Sequence, residues 1–278
     1  MKFRVIHHVD RETIDRMYTG YAPVFILSTG RAGSKFAARL LDHSANVSAF
    51  HEPRPTLEYF SNYAYHHQDE RDVLTRVIDA ARMESVLDVF IKDRIYVESN
   101  QCLTFFAPVM ARLFKQSKFV HVVRHPGDFV RSAVRKGWHK NDSIWEAGRL
   151  KAADEARWAQ MDQVERLSWL WNATNSYIED IKKELSTRRI RSLKFEDLIN
   201  DPKEVKLLLE FTGSEKIAKK KIKEVQENKI NELHIRPWEP PNMKKVMNFP
   251  HYEDWELPMQ EKLKKYCGEL AGKYGYRL

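Results

Sequence analysis

Five short apolar runs, at 23–28, 47–50, 86–91, 119–123 and 190–193, recur along the chain with helically patterned stretches between them. Runs of this length suit buried strands, whereas apolar positions three and four apart suit amphipathic helices. Phe36, Ala37, Leu40 and Leu41 make such a stripe after the first run; Phe129, Val130, Ala133 and Val134 make one after the fourth. Leu167, Leu170, Trp171, Thr174, Ile178, Ile181 and Leu185 form a longer core-facing stripe. Further helices are expected within 56–84, 101–115, 203–212, 215–228 and 259–273. Strands alternating with helices build βαβ units, hence a parallel sheet with right-handed crossovers. The pattern predicts one α/β domain over 1–278, its central parallel sheet of about five strands flanked by helices, with a helical insertion around 143–185. Residues 1–21 read as an N-terminal extension. The stretch 229–258, with Pro237, Pro240, Pro241, Pro250 and Pro258, reads as irregular but packed.

At 278 residues, with 42% apolar and 31% charged side chains, the chain has material for a core without metal or disulfide staples, and disorder and fibres are excluded. The best apolar run, 22–27, is strand-sized, so no transmembrane segment is expected. His7, His8, Asp10 and Arg11 interrupt the residues behind Lys2 and Arg4, which argues against a secretory signal. Cys102 and Cys267 are isolated, which points to a reducing cytoplasm. A net charge of +8 favours anionic partners without choosing among nucleic acid, nucleotide and acidic substrate. Lys219, Lys220, Lys221 and Lys223 read as a solvated helix face.

Where the charges fall is more informative. Four of the expected strands stop at a polar group: the turn from Thr29 to Lys35, Glu52 after His51, Lys92 with Asp93, and Arg124 with His125. On a parallel sheet these ends share one edge, and ligands bind in the crevice there. Three cationic clusters and one carboxylate thus surround one crevice. The first is a glycine-containing strand-to-helix turn, whose backbone N–H groups and helix dipole make an anion cradle. Gly30 and Gly33 allow close approach, and Ser34 and Lys35 add a hydroxyl and an ammonium. The order Gly33-Ser34-Lys35-Phe36 is not a Walker sequence, and a plain structural turn is the alternative. In the second cluster Ser132 follows Arg124 by eight residues, about two helical turns, so both can reach one phosphate. The alternative is that Arg124 caps a helix or pairs with a carboxylate.

Together the segments 25–41 and 119–134 resemble the sulfotransferase superfamily, enzymes that use 3′-phosphoadenosine-5′-phosphosulfate (PAPS). Arg31-Ala32-Gly33-Ser34-Lys35 looks like its 5′-phosphosulfate loop, and Arg124 with Ser132 looks like its 3′-phosphate segment. Leu193-Lys194-Phe195-Glu196-Asp197-Leu198 before Asp201-Pro202 resembles a third recurrent segment. Lys35 departs from the pattern, standing where a second Thr or Ser is usual. Glu52 lies 21 residues after Arg31 and Arg54 two further on, as in the tyrosylprotein branch. Lys92-Asp93 looks like that branch's KDP segment, with Arg94 in place of Pro. The chain is more similar to the tyrosylprotein and carbohydrate branches than to the cytosolic steroid and phenol branch.

The resemblance implies a single P-loop NTPase-like domain and a sulfotransferase with PAPS as donor, 3′,5′-adenosine bisphosphate (PAP) as product and no metal. It assigns Arg31 and Lys92 to the sulfonate and bridging oxygen. Ala32, Gly33, Ser34, Lys35 and Phe36 fall to the 5′-phosphate, and Arg124 and Ser132 to the 3′-phosphate. Glu52 becomes the general base, with Arg54 and His51 beside the acceptor. Two of these have rivals: for Glu52, a helix cap, with His51 as base in its place; for Lys92, a pairing with Asp93 or Glu196. Trp138 reads as core rather than an adenine platform. Arg236, Lys244 and Lys245 lie where the family places a loop closing over the nucleotide. The acceptor stays open among carbohydrate, peptide, lipid and small hydroxyl molecules. An NTPase or kinase of the same fold is the alternative enzyme, expected to need Mg²⁺ and ATP. A basic nucleic-acid-binding protein is the other alternative, but no nucleic-acid signature is present, and no nucleic-acid partner is expected.

Overall fold

The computed structural model describes residues 9–140, 146, 148–227 and 248–278. After helix α1 (Arg11–Thr19), the chain runs β1 (Val24–Leu27), α2 (Ser34–Asp42), β2 (Val47–His51), α3 (Glu58–His66), α4 (Arg71–Ile91) and β3 (Ile95–Ser99). A 3₁₀ turn (Gln101–Phe106) leads into α5 (Ala107–Leu113), β4 (Lys118–Val123) and α6 (Pro126–Arg135). There follow α7 (Glu155–Gln160), α8 (Gln163–Glu184), β5 (Ile190–Lys194), α9 (Phe195–Asn200), α10 (Pro202–Thr212), α11 (Lys219–Glu227) and α12 (Leu257–Lys273). The strands form one sheet in the order β2-β3-β1-β4-β5, and every pair is parallel. The expected α/β architecture is therefore present.

Alternation along β1 explains the two helical layers. Phe25 and Leu27 face a core with α4, α5, α6, α8 and α12, while Val24 and Ile26 face one with α2, α9, α10 and α11. The stripe from Leu167 to Ile181 packs α8 into the first layer, as its spacing predicts. Among the described residues no helix is long and apolar enough to cross a membrane.

The third strand is a correction. Residues 86–91 are the last turns of α4, and β3 starts at Ile95. The buried positions Leu74, Ile78, Arg82, Val86 and Val89 keep helical spacing through the apolar run, and no Gly or Pro interrupts it. The true strand was harder to see because it buries a charge. Glu98 is 0% exposed and accepts two bonds from Arg82, Nε to Oε2 at 2.6 Å and Nη2 to Oε1 at 2.8 Å. The Tyr96 hydroxyl donates to the same carboxylate at 2.7 Å. Arg82 Nη1 also donates to Pro55 O, and Asn100 Nδ2 to Thr56 O. The pair thereby ties the loop after β2 to β3 and α4. In the segment 143–185, the α-helices among the described residues are α7 and α8.

Two buried histidines give the fold a pH signature. His121 lies between Ser192 and Asn175, and His139 beside Trp158; burial pushes each imidazole down to about 3. In the unfolded chain each takes its proton near pH ~6.5. Below that pH the unfolded state binds more protons than the folded one, so stability falls as pH drops from about 6.5 toward 3. Each ring contributes a slope of up to about 1.4 kcal/mol per pH unit. Urea denaturation between pH about 7 and 5 should show this loss; a stability constant across that range would contradict it.

Candidate active site

Strand register brings the site's residues level. Ile26 pairs with Ser99 and Ser99 with His51, so Ser28, Asn100 and Glu52 leave the sheet together at its carboxyl edge. Arg124 follows Val123 on the same edge. Two residues here, Arg31 at φ 51° and Glu52 at φ 50°, hold the left-handed backbone region that non-glycine residues rarely adopt. Such strain persists only where the surroundings enforce it, and it concentrates at functional sites. For Glu52 one enforcing contact is its N–H, which donates to Ser99 O at 2.9 Å.

The turn before α2 is built as a cradle. Gly33 sits at φ 92°, and a Cβ there would lie 2.0 Å from the Phe195 ring. Gly30 is equally confined by Gln101 and Trp138. No side chain caps the N-terminus of α2, which leaves its first N–H groups available to an anion. Ala32 and Ser34 are buried, and Lys35 lies close enough to His51 for its charge to oppose protonation of that ring.

Arg31, Arg124 and Ser132 converge. Arg31 Nε donates to Ser132 Oγ at 3.0 Å, and Arg124 Nη1 donates to Arg31 O at 3.2 Å. Arg124 also stacks over Phe195 at 5.4 Å, pairs with Asp128 at 3.7 Å and receives Trp171 Nε1 on its carbonyl. Burial, Arg124 and Arg135 hold the Arg31 guanidinium below its usual range, while Glu52 opposes them. Arg135, which belongs to none of the sequence motifs, lies three residues after Ser132 on α6, a spacing that shares one helix face. The Nε atoms of Arg124 and Arg135 are buried without a hydrogen-bond partner. Crowded cations with unspent donors are what a polyanionic nucleotide fits.

Glu52 opens onto a cavity of about 120 Å³, lined also by Thr29, Glu58, Cys102, Arg149 and Thr174. Thr29 belongs to the turn before α2, but the other four carried no local motif: they come from α3, the 3₁₀ turn, the segment before α7, and α8. His51 turns its Nδ1 to Ser99, and Arg54 is exposed and outside the cavity lining. Trp138 is core, 9% exposed and packed on Phe129. Glu196 braces the turn after β4, accepting from His125 N at 2.9 Å and the Tyr276 hydroxyl at 2.8 Å. Arg236, Lys244 and Lys245 lie outside the described residues. Among the described residues no cluster of His, Cys, Asp or Glu is placed to hold a metal ion.

Lys92 is the site correction. Because β3 starts at Ile95, Lys92 precedes that strand and lies at the opposite, amino edge of the sheet. Its Nζ pairs with Asp88 at 2.7 Å, with both side chains about half exposed.

Residues 23–217 match a family model described as the sulfotransferase family. No curated protein sequence matches the chain. Among solved structures, the sulfotransferase domain from the curacin biosynthetic pathway is 16% identical, covering 93% of this chain and 99% of that one at a TM-score of 0.54. The sulfotransferase domain from the Synechococcus PCC 7002 olefin synthase is also 16% identical, covering 93% and 97% at a TM-score of 0.51. A mouse sulfotransferase, SULT7A1, complexed with PAP is 12% identical, covering 95% and 94% at a TM-score of 0.51.

The placement of Lys92 makes Lys92→Ala neutral: kcat and KM should stay within about twofold of wild type, as for surface changes that cost little. A loss on the order of 10²-fold in kcat, the size expected for a preorganised cation, would return Lys92 to the site.

Proposed function

Because the chain belongs to the sulfotransferase family, we propose that it moves a sulfuryl group from PAPS to a hydroxyl or amine acceptor by in-line displacement, with Glu52 as general base. The observation that carries this reading is the convergence of Arg31, Arg124 and Ser132 on one edge of the sheet. A donor with phosphate at both ends of its ribose needs cations at two places, and the two clusters supply them.

PAPS supplies the activated sulfuryl group when bound; the protein supplies position and charge. Arg124 and Ser132 hold the 3′-phosphate, with Arg135 on the same helix face as a further cation. The first N–H groups of α2, together with Ala32, Gly33 and the Ser34 hydroxyl, hold the 5′-phosphate. Arg31 neutralises charge on the sulfonate oxygens. Lys35, in electrostatic reach of His51 beside Glu52, takes the role expected of Lys92, stabilising the leaving oxygen. Such fixed cations act through preorganisation, with no reorganisation cost during the reaction. Glu52 accepts the acceptor's proton, a service worth ~10²–10⁴-fold. His51 is the weaker base candidate, since its ring is turned to Ser99 and burial holds its pKa down. The two buried free cysteines suit a reducing cytoplasm.

Thermal denaturation with PAP or ATP, each with and without Mg²⁺, tests the assignment. PAP at ~100 times its dissociation constant should add about 2.7 kcal/mol without Mg²⁺. Arg124→Ala should lose that response. Glu52→Gln should keep it while turnover falls ~10²–10⁴-fold. Stabilisation by Mg·ATP alone would overturn the donor assignment, and full turnover in Glu52→Gln would remove it as base.

A further inference from the structure

The cavity beside Glu52 holds about 120 Å³, a little less than the ~150 Å³ of a cavity that takes up benzene. The part of an acceptor that lies within it is therefore about the size of one small ring or a short chain. Among the described residues three charged side chains line it: Glu52, Glu58 and Arg149. Arg149 is already engaged, because its Nε donates to Glu146 Oε2 at 2.7 Å and its guanidinium lies 3.8 Å over the Trp138 ring. Glu52 stands in the field of Arg31. The Glu58 carboxylate has neither an ion pair nor a hydrogen bond among the described residues. It is the first residue of α3, where the helix dipole favours an anion. Both carboxylates add to the burial that pushes the Cys102 thiol, on the cavity wall, up to about 12. Thr174, 2% exposed, also lines the cavity, and its Oγ1 is buried without a partner.

A carboxylate that lines a small cavity and makes no ion pair or hydrogen bond among the described residues, while the one cation of the described lining, Arg149, is engaged by Glu146 and Trp138, is open to a ligand's cation. We propose, resting on the sulfuryl-transfer reading, that the acceptor is a small amino alcohol whose hydroxyl meets Glu52 and whose protonated amine pairs with Glu58, Thr174 Oγ1 taking a further hydrogen bond. The ion pair keeps the nitrogen protonated and its lone pair unavailable, so transfer goes to oxygen. The acceptor O–H bond breaks with its proton passing to Glu52, and the new O–S bond forms. The S–O bond to the nucleotide breaks, with its electron pair leaving on the 5′-phosphate. The products are an O-sulfate that keeps its ammonium group, and PAP.

Matched pairs differing only in amine against hydroxyl test this: serinol against glycerol, and trans-2-aminocyclohexanol against trans-cyclohexane-1,2-diol. Calorimetric binding to the wild-type protein with PAP should favour the aminated member at least ~10-fold, about 1.4 kcal/mol. That preference should fade as pH rises through the amine's own pKa, which a merely structural role for Glu58 would not produce. Glu58→Gln should erase the preference while PAP still raises the variant's melting temperature as it does for wild type. With labelled PAPS the product should be the O-sulfate. Equal binding within both pairs, binding by no member, a preference that survives Glu58→Gln, or an N-sulfated product each overturns the acceptor inference and leaves the donor reading standing. Failure of PAP to stabilise the wild-type protein overturns both.

Discussion

Guanidinium groups repel one another, yet the fold gathers Arg31, Arg124 and Arg135 around one sheet edge, each partly buried. Everything functional about this edge follows from how that repulsion is held. Arg124 is fixed from three sides, by the Arg31 carbonyl, the Phe195 ring and Asp128, while Trp171 anchors its backbone. Arg31 is fixed by Ser132. The protein thus meets the electrostatic cost of assembling the cations during folding, and an arriving anion gains from a field already in place.

The carboxylate side of the crevice depends on a different device. The Arg82–Glu98 pair is fully buried, and by itself such a pair is a weak source of stability. Its use here is positional: the groups it does not spend on each other reach Pro55 O and, through Asn100, Thr56 O. Those carbonyls belong to the loop between Glu52 and Glu58. Two carboxylates of the cavity are therefore carried by a segment pinned from beneath at its middle.

Much of this was legible in the sequence, for a physical reason. The parallel sheet puts strand ends together whatever their distance along the chain, so Arg31, Glu52 and Arg124 could be brought to one rim from strand positions alone. The same logic failed at Lys92, because a continuous apolar run looks alike in a buried helix end and in a strand. Here the helix continued and carried the lysine to the far edge. Glu98 hid the true strand, since a charge inside β3 makes sense only once Arg82 is known to face it. The cavity walls were invisible for another reason. Glu58, Arg149 and Thr174 come from elements whose local pattern reports only helix or loop, and Thr174 sits within a stripe that is otherwise core. Arg135 carried a usable signal, its place one turn beyond Ser132.

The contact between Gly33 and the Phe195 ring joins the first recurrent segment to the third. The ring fills the volume a side chain at 33 would need, and its other neighbours are Phe36 and Arg124. Positions 33 and 195 are therefore not independent in evolution. A lineage that enlarged the first would have to shrink the second and abandon the left-handed turn, and would loosen its grip on Arg124 in doing so. Drift at these two sites is confined to paired steps, although 162 residues separate them along the chain.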